Sequence, residues 1–242
     1  MIRVFILLLA AVTAAAGVDQ PAGPIRLSPE AAAREGRALV EKILSDRPAQ
    51  EFTNTGVLKT VVGKKRVETP MRSETRPART GWYSRYEAGK EGNRVILTVL
   101  HADGRPNEYR LSVNGAEKVL SGNDSMIPFA DSDFWIADLG LEFFHWPNQR
   151  LIRKEIRRGQ SCDVLESINP HPVPGAYSRV ISWIDADSDG IINAEAFDSN
   201  GRLLKEFIAK SFKKVHGQWQ LETIEMDNRQ TGSRTWIDFE VR

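Results

Sequence analysis

The chain has 242 residues, 41% of them hydrophobic and 27% charged, with 33 basic against 32 acidic side chains. That length suits one large domain or two small ones. The near-zero charge balance argues against a nucleic-acid binder or a polybasic membrane-surface protein, and one cysteine excludes a disulfide framework or any multi-cysteine metal centre.

Residues 1–16 have the form of a signal peptide: Met1-Ile2-Arg3, an apolar run from Val4 to Val12, then Thr13-Ala14-Ala15-Ala16. The run is shorter than the about 20 apolar residues that a permanent span needs, and Ala14-x-Ala16 is a cleavage pattern. The expected product is an exported, periplasmic protein without net formal charge. Residues 17–27, with Pro21, Gly23 and Pro24, read as an irregular leader. Residues 28–242 read as a single domain.

The domain begins with a helix. Ser28 can cap it, Pro29 suits the first helical position, and Glu30 falls in the first turn, where the helix dipole favours an acid. Ala32, Gly36, Leu39, Val40 and Ile43 then make one apolar stripe over about four turns, closed by Pro48. Such a helix is marginal alone and must lie against an apolar surface.

Beyond Glu51 the pattern becomes strand-like. The predicted strands are 53–62, 81–87, 94–101, 108–113, 149–157, 161–168, 177–184, 191–197, 203–211, 218–227 and 234–241. Asn114-Gly115, Asp189-Gly190 and Asn200-Gly201 are hairpin signals, because both central residues must accept positive φ. Many strands with few helical crossovers imply an antiparallel meander. Alternation places Thr235, Ile237, Phe239 and Val241 on one face and Trp236, Asp238 and Glu240 on the other. An apolar sheet face must be covered, and the second predicted helix, Ser132 to Phe144, is the available cover. Phe134, Trp135, Leu139, Phe143, Phe144 and Trp146 are concentrated in or just after it, either as core or as a lid lining an apolar cavity.

No complete catalytic motif emerges. Asp185-Ala186-Asp187-Ser188-Asp189-Gly190 begins like a calcium loop, with Asp185, Asp187 and Asp189 as its ligands. However, Ala196 stands where the bidentate glutamate belongs, and the flanks read as strands, so an acidic hairpin turn is the competing reading. His101, His145, His171 and His216 are dispersed and form no helical metal pair; isolated at strand ends, they are expected to face solvent. Cys162 reads as a structural thiol, and Gly159 to Asp163 lacks the second glycine of a nucleophile elbow. Phosphate-loop and dinucleotide fingerprints are missing. The basic run Arg150, Arg153, Lys154, Arg157 and Arg158 has Glu155, Asp163 and Glu166 beside it and reads as a solvated strand face. No cofactor, no metal and no enzymatic activity are expected.

Several motifs in order resemble the outer-membrane lipoprotein-sorting (LolA-like) family, in its branch of exported proteins without assigned roles. They are Ser132-Asp133-Phe134 with Asp138-Leu139, Tyr177-Ser178-Arg179 to Trp183-Ile184-Asp185, and Phe197-Asp198-x-x-Gly201-Arg202-Leu203 with Lys205. Val215-x-Gly217-x-Trp219 and Met226-x-Asn228 with Thr231-Gly232-x-x-Thr235 complete the set. The resemblance implies a mainly β protein, a half-open antiparallel β-barrel closed by helices. It also implies a periplasmic binder of lipid or acylated protein, with envelope membrane proteins as further partners; the charge balance already argues against nucleic acid. The cavity candidates are Phe134, Trp135, Leu139, Phe143, Phe144 and Trp146. A non-carrier interaction or sensor module on the same fold is the alternative, since fold alone does not fix function.

Overall fold

The computed structural model describes residues 27–215 and 218–241. The expected signal peptide, most of the expected leader and His216 lie outside the described residues. Helix α1 runs from Pro29 to Ser45, with the Ser28 hydroxyl accepting a hydrogen bond from the Ala31 amide at 3.2 Å. Thirteen strands follow: β1 (Phe52–Val62), β2 (Lys65–Ala78), β3 (Gly81–Lys90), β4 (Asn93–Ala102), β5 (Glu108–Val113), β6 (Ala116–Leu120), β7 (Asn148–Arg157), β8 (Gln160–Ile168), β9 (Arg179–Asp185), β10 (Ile191–Phe197), β11 (Leu203–Val215), β12 (Gln218–Asn228) and β13 (Ser233–Phe239).

They form one sheet in the order β6-β5-β4-β3-β2-β1-β13-β12-β11-β10-β9-β8-β7. Every neighbouring pair is antiparallel, including β1 with β13, where Gly56 stands opposite Phe239. The sheet does not close: β6 and β7 are its two edges. The chain that joins these edges, residues 121–147, crosses one face of the sheet.

That crossing segment supplies side chains to both halves of the core. Phe129, Phe134, Ile136 and Leu139 pack with Tyr86, Leu97, Tyr109, Ile224 and Ile237. Ala137, Phe143, Phe144 and Trp146 pack instead with Val40 and Ile43 of α1 and with Leu165, Val180, Ile184 and Leu204. The expected helix from Ser132 to Phe144 is therefore not formed. Its only α-helical part is α2 (Ile136–Leu139), followed by a 3₁₀ turn at Glu142–His145. The aromatic residues serve two separate clusters, and no single helical face can point at both. Positive φ at Ala130, Asp131 and Leu141 (49°, 54° and 51°) turns the chain between them.

Strands β2 and β6 were not expected. Strand β2, Lys-Arg-Val-Glu-Thr-Pro-Met-Arg-Ser-Glu-Thr-Arg-Pro-Ala, has little apolar alternation and two prolines. Its pairing with β3 begins only at Met71 opposite Ala88, so Pro70 lies beyond that ladder, where its missing N–H breaks no bond.

Helix α1 lies on β7. Gly36 meets the backbone of Arg150 so closely that a Cβ there would stand 2.6 Å from its nitrogen. Val40 and Ile43 are buried beside it, and the Lys42 ammonium binds Asp189 at 2.7 Å. The Asp185 to Gly190 segment is accordingly the β9–β10 hairpin turn, with Asp189 at φ 59°. Its three acids diverge: Asp185 turns inward and accepts from the Ser188 hydroxyl, Asp187 is exposed, and Asp189 holds α1. Among the described residues no three His, Cys, Asp or Glu side chains are grouped to hold a metal ion.

Candidate ligand cavity

The crossing segment is fixed by two polar anchors. Asp133 is the first. Its Oδ1 accepts from Ser233 Oγ at 2.6 Å and Asn228 Nδ2 at 3.1 Å, and its Oδ2 from Thr235 Oγ1 at 2.8 Å. Its carbonyl accepts from Lys205 Nζ at 2.6 Å. That ammonium is only 3% exposed and sits 3.7 Å from the Trp135 ring centroid and 3.9 Å from Asp138 Oδ2. Asp138 also accepts from the Trp135 amide at 2.7 Å and from the Tyr177 hydroxyl at 3.3 Å. Burial holds Lys205 down to about 7 and pushes the Asp138 carboxyl up. The motif residues Asp133, Asp138, Tyr177, Lys205, Asn228 and Thr235, far apart in sequence, thus meet in one buried network.

Gln149 is the second anchor. Its Nε2 donates to the carbonyls of Phe143 at 2.9 Å and Trp146 at 2.8 Å, while its Oε1 accepts from Ser167 Oγ at 2.7 Å. Phe134, Leu139, Phe143, Phe144 and Trp146 are consequently buried, and Trp135 is half-buried, stacked on Tyr177 with centroids 4.4 Å apart. These residues fill most of the covered face themselves.

They leave a cavity of about 260 Å³ between the end of α1, the β3–β4 pair with its following turn, and residues 140–145. Of the six residues expected to line a cavity, Phe144 does so; the other five pack elsewhere in the core. Its apolar wall is Ile43, Leu44, Trp82, Leu141 and Phe144. Its polar wall holds His101, His145, Asp103 and Arg105. His101 is the cross-strand neighbour of Trp82 and stacks on it with centroids 3.7 Å apart. Both imidazoles are thus partly buried, not solvent-facing as their isolated positions suggested. Burial, with a smaller contribution from His145, pushes His101 down to about 3; burial alone takes His145 down to about 4, so both rings are neutral near pH 7. Asp103 is neutralised by Arg47 at 2.6 Å.

Behind this wall Tyr109 donates to Glu142 Oε2 at 2.8 Å, and Asn107 Nδ2 donates to the Gly140 carbonyl at 2.6 Å. Gly140 is required here, because a Cβ would stand 2.4 Å from the buried Tyr109 ring. Burial pushes Glu142 up to about 7 from its ordinary 4.5. The unfolded chain therefore releases this proton at lower pH than the folded one. The contribution of Glu142 to stability falls as pH rises from 4.5 to about 7 and stays low above. Glu142→Gln removes that loss, and the expected gain over the parent is about 2–3 kcal/mol at pH 8 and near zero at pH 4. Thermal unfolding at the two pH values measures it.

The sequence did not point to the cavity wall because its members come from four distant segments and form no motif. The only available signal was the apolar neighbourhood of Trp82 and His101 in two strands of mixed pattern.

The fold is LolA-like, shared with solved structures at low sequence identity. A Vibrio parahaemolyticus domain described as an outer membrane lipoprotein-sorting protein has 20% identity and a TM-score of 0.72, over 86% of this chain and 92% of that one. A DUF1329 family protein from Desulfovibrio piger has 18% identity and a TM-score of 0.69, over 86% and 91%. A LolA superfamily protein from Nitrosomonas europaea has 17% identity and a TM-score of 0.59, over 85% and 91%. Residues 92–241 match the model of a family described as "Uncharacterized protein", and the chain belongs to that family. No curated protein matches the sequence.

Proposed function

We propose that this is an exported, periplasmic binding protein, not an enzyme, that holds an acyl chain of a lipid or acylated protein in the cavity beneath α1. The crossing segment and α1 act together as the lid of the half-barrel. One observation carries this reading: the covered face retains a cavity of about 260 Å³ with an apolar wall of Ile43, Leu44, Trp82, Leu141 and Phe144. Each methylene taken from water into such a wall stabilises the complex by about 0.8 kcal/mol. A handful of methylenes therefore outweighs the loss of one interaction at the rim. The LolA-like fold, shared with a domain described as sorting outer-membrane lipoproteins, supports the same reading.

The test is native mass spectrometry of the mature chain isolated from its envelope, with added lipid as a second arm. The expected result is a co-purifying or added acyl lipid, weakened about tenfold or more by Leu44→Asp. Leu44 is 37% exposed, so a charge there reaches the cavity rim without entering the core. A mass without lipid in both arms overturns the reading and favours an interaction module on the same fold.

A further inference from the structure

The polar wall of the cavity carries a consequence beyond acyl binding, and it rests on that reading. The ionisable groups of the wall are unequal in their pairing. Asp103, its only acid, is taken by Arg47. Arg105 stands on the same turn, and among the described residues no acidic side chain pairs with it. His101 and His145 also line the cavity, His101 stacked on Trp82 and His145 next in sequence to Phe144. An apolar slot with one unpaired guanidinium and two imidazoles among its lining residues matches an amphiphile with an anionic end.

Size narrows the class. A pocket that encloses a drug-sized ligand spans about 300–1,000 Å³. At about 260 Å³ this cavity lies just below that range, which favours one chain over a diacyl or triacyl lipid. We infer that the cavity takes a single acyl chain ending in a carboxylate, with the carboxylate on the wall of His101, His145 and Arg105 and the chain against Leu44, Trp82 and Phe144. Arg105 supplies the countercharge and planar N–H donors that suit a carboxylate. The neutral imidazoles offer N–H donors without adding a buried charge to the empty cavity.

The experiment compares dodecanoate with dodecanol by titration calorimetry on the mature chain, as the parent, Arg105→Gln and His145→Gln. Dodecanoate is expected to bind the parent at least about tenfold more tightly than dodecanol, in line with a charge-assisted hydrogen bond. Either substitution is expected to weaken dodecanoate binding several-fold more than dodecanol binding and so remove most of that preference, a selective loss that misfolding would not produce. Arg105 lies on an exposed turn, so its replacement leaves the core intact. Equal affinities for acid and alcohol in the parent overturn the carboxylate inference and leave the acyl-binding reading standing. Binding of neither overturns both.

Discussion

Replacing Lys205 by methionine is expected to destabilise the fold by about 3–5 kcal/mol near pH 8, because it leaves the buried Asp138 carboxyl and the Asp133 carbonyl without their shared amine donor. The lysine ammonium lies between the Asp133 carbonyl, the Asp138 carboxylate and the Trp135 ring. Methionine fills similar space but leaves both Asp138 and the Asp133 carbonyl without this donor. For a domain of this size the melting temperature should fall by roughly 2–4 °C per kcal/mol.

The pH dependence has a definite sign. A lysine whose folded value is depressed to about 7 contributes stability that is full above its unfolded value near 10.5 and is lost as pH falls through 7. Asp138, pushed up by burial, takes a proton more readily in the fold than in the unfolded chain, and more so without Lys205. Both effects shrink the cost of Lys205→Met as pH falls, so the deficit at pH 5 should be smaller than at pH 8. Adding Asp138→Asn should recover part of the loss at pH 8 and little at pH 5. Thermal unfolding of the three variants at both pH values decides it. An equal deficit at the two pH values would mean that packing, not charge, is what Lys205 contributes.

Gly36→Val should lift α1 from the sheet. The new Cβ would lie 2.6–2.8 Å from three backbone atoms of Arg150. Strand β7 is held along its length by β8, from Asn148 opposite Ile168 to Arg157 opposite Gln160, so that backbone cannot easily yield. The helix must yield instead, and it takes Val40 and Ile43 out of the core. Each fully exposed side chain of that kind forfeits about 1.5–3 kcal/mol, and the helix alone is marginal. A loss of about 3–6 kcal/mol is expected for the two together. The cavity also loses its Ile43 and Leu44 wall, so acyl binding should fall with it. Hydrogen exchange resolves the two parts: α1 amides should lose protection while the β11–β13 ladder keeps its own. Unchanged protection of α1 would mean that the helix tolerates the contact.

The local elements were the most legible parts of the sequence. The Ser28 cap, the stripe through Gly36, Val40 and Ile43, and the alternation of Thr235, Ile237 and Phe239 each report a short-range rule that the fold obeys. Strand β2 was hidden because charged residues cover much of it and only the ladder from β1 to β3 makes it a strand. The 132–144 segment misled for the opposite reason. Its apolar content suits a helix, yet two core clusters claim its side chains in different directions. Of the residues that line the cavity, Phe144 was among the candidates read from the sequence; Leu44, Trp82, His101, Arg105 and His145 were not. Their meeting is a product of tertiary packing, which brings the end of α1, seated on the edge strand β7, beside the β4–β5 turn near the other edge, and no spacing along the chain encodes it. The motif residues, by contrast, were visible early, and the structure gives them a physical role in locking the crossing segment.

The central claim is that an acyl chain lies in the cavity beneath α1. Photolabelling with a diazirine-bearing dodecanoate, followed by peptide mapping, tests it most directly. Cross-links to Leu44, Trp82 and the Leu141–Phe144 stretch, displaced by unlabelled dodecanoate, are the predicted result. Labelling confined to the exposed β1–β2 hairpin, or none that unlabelled dodecanoate displaces, would contradict it.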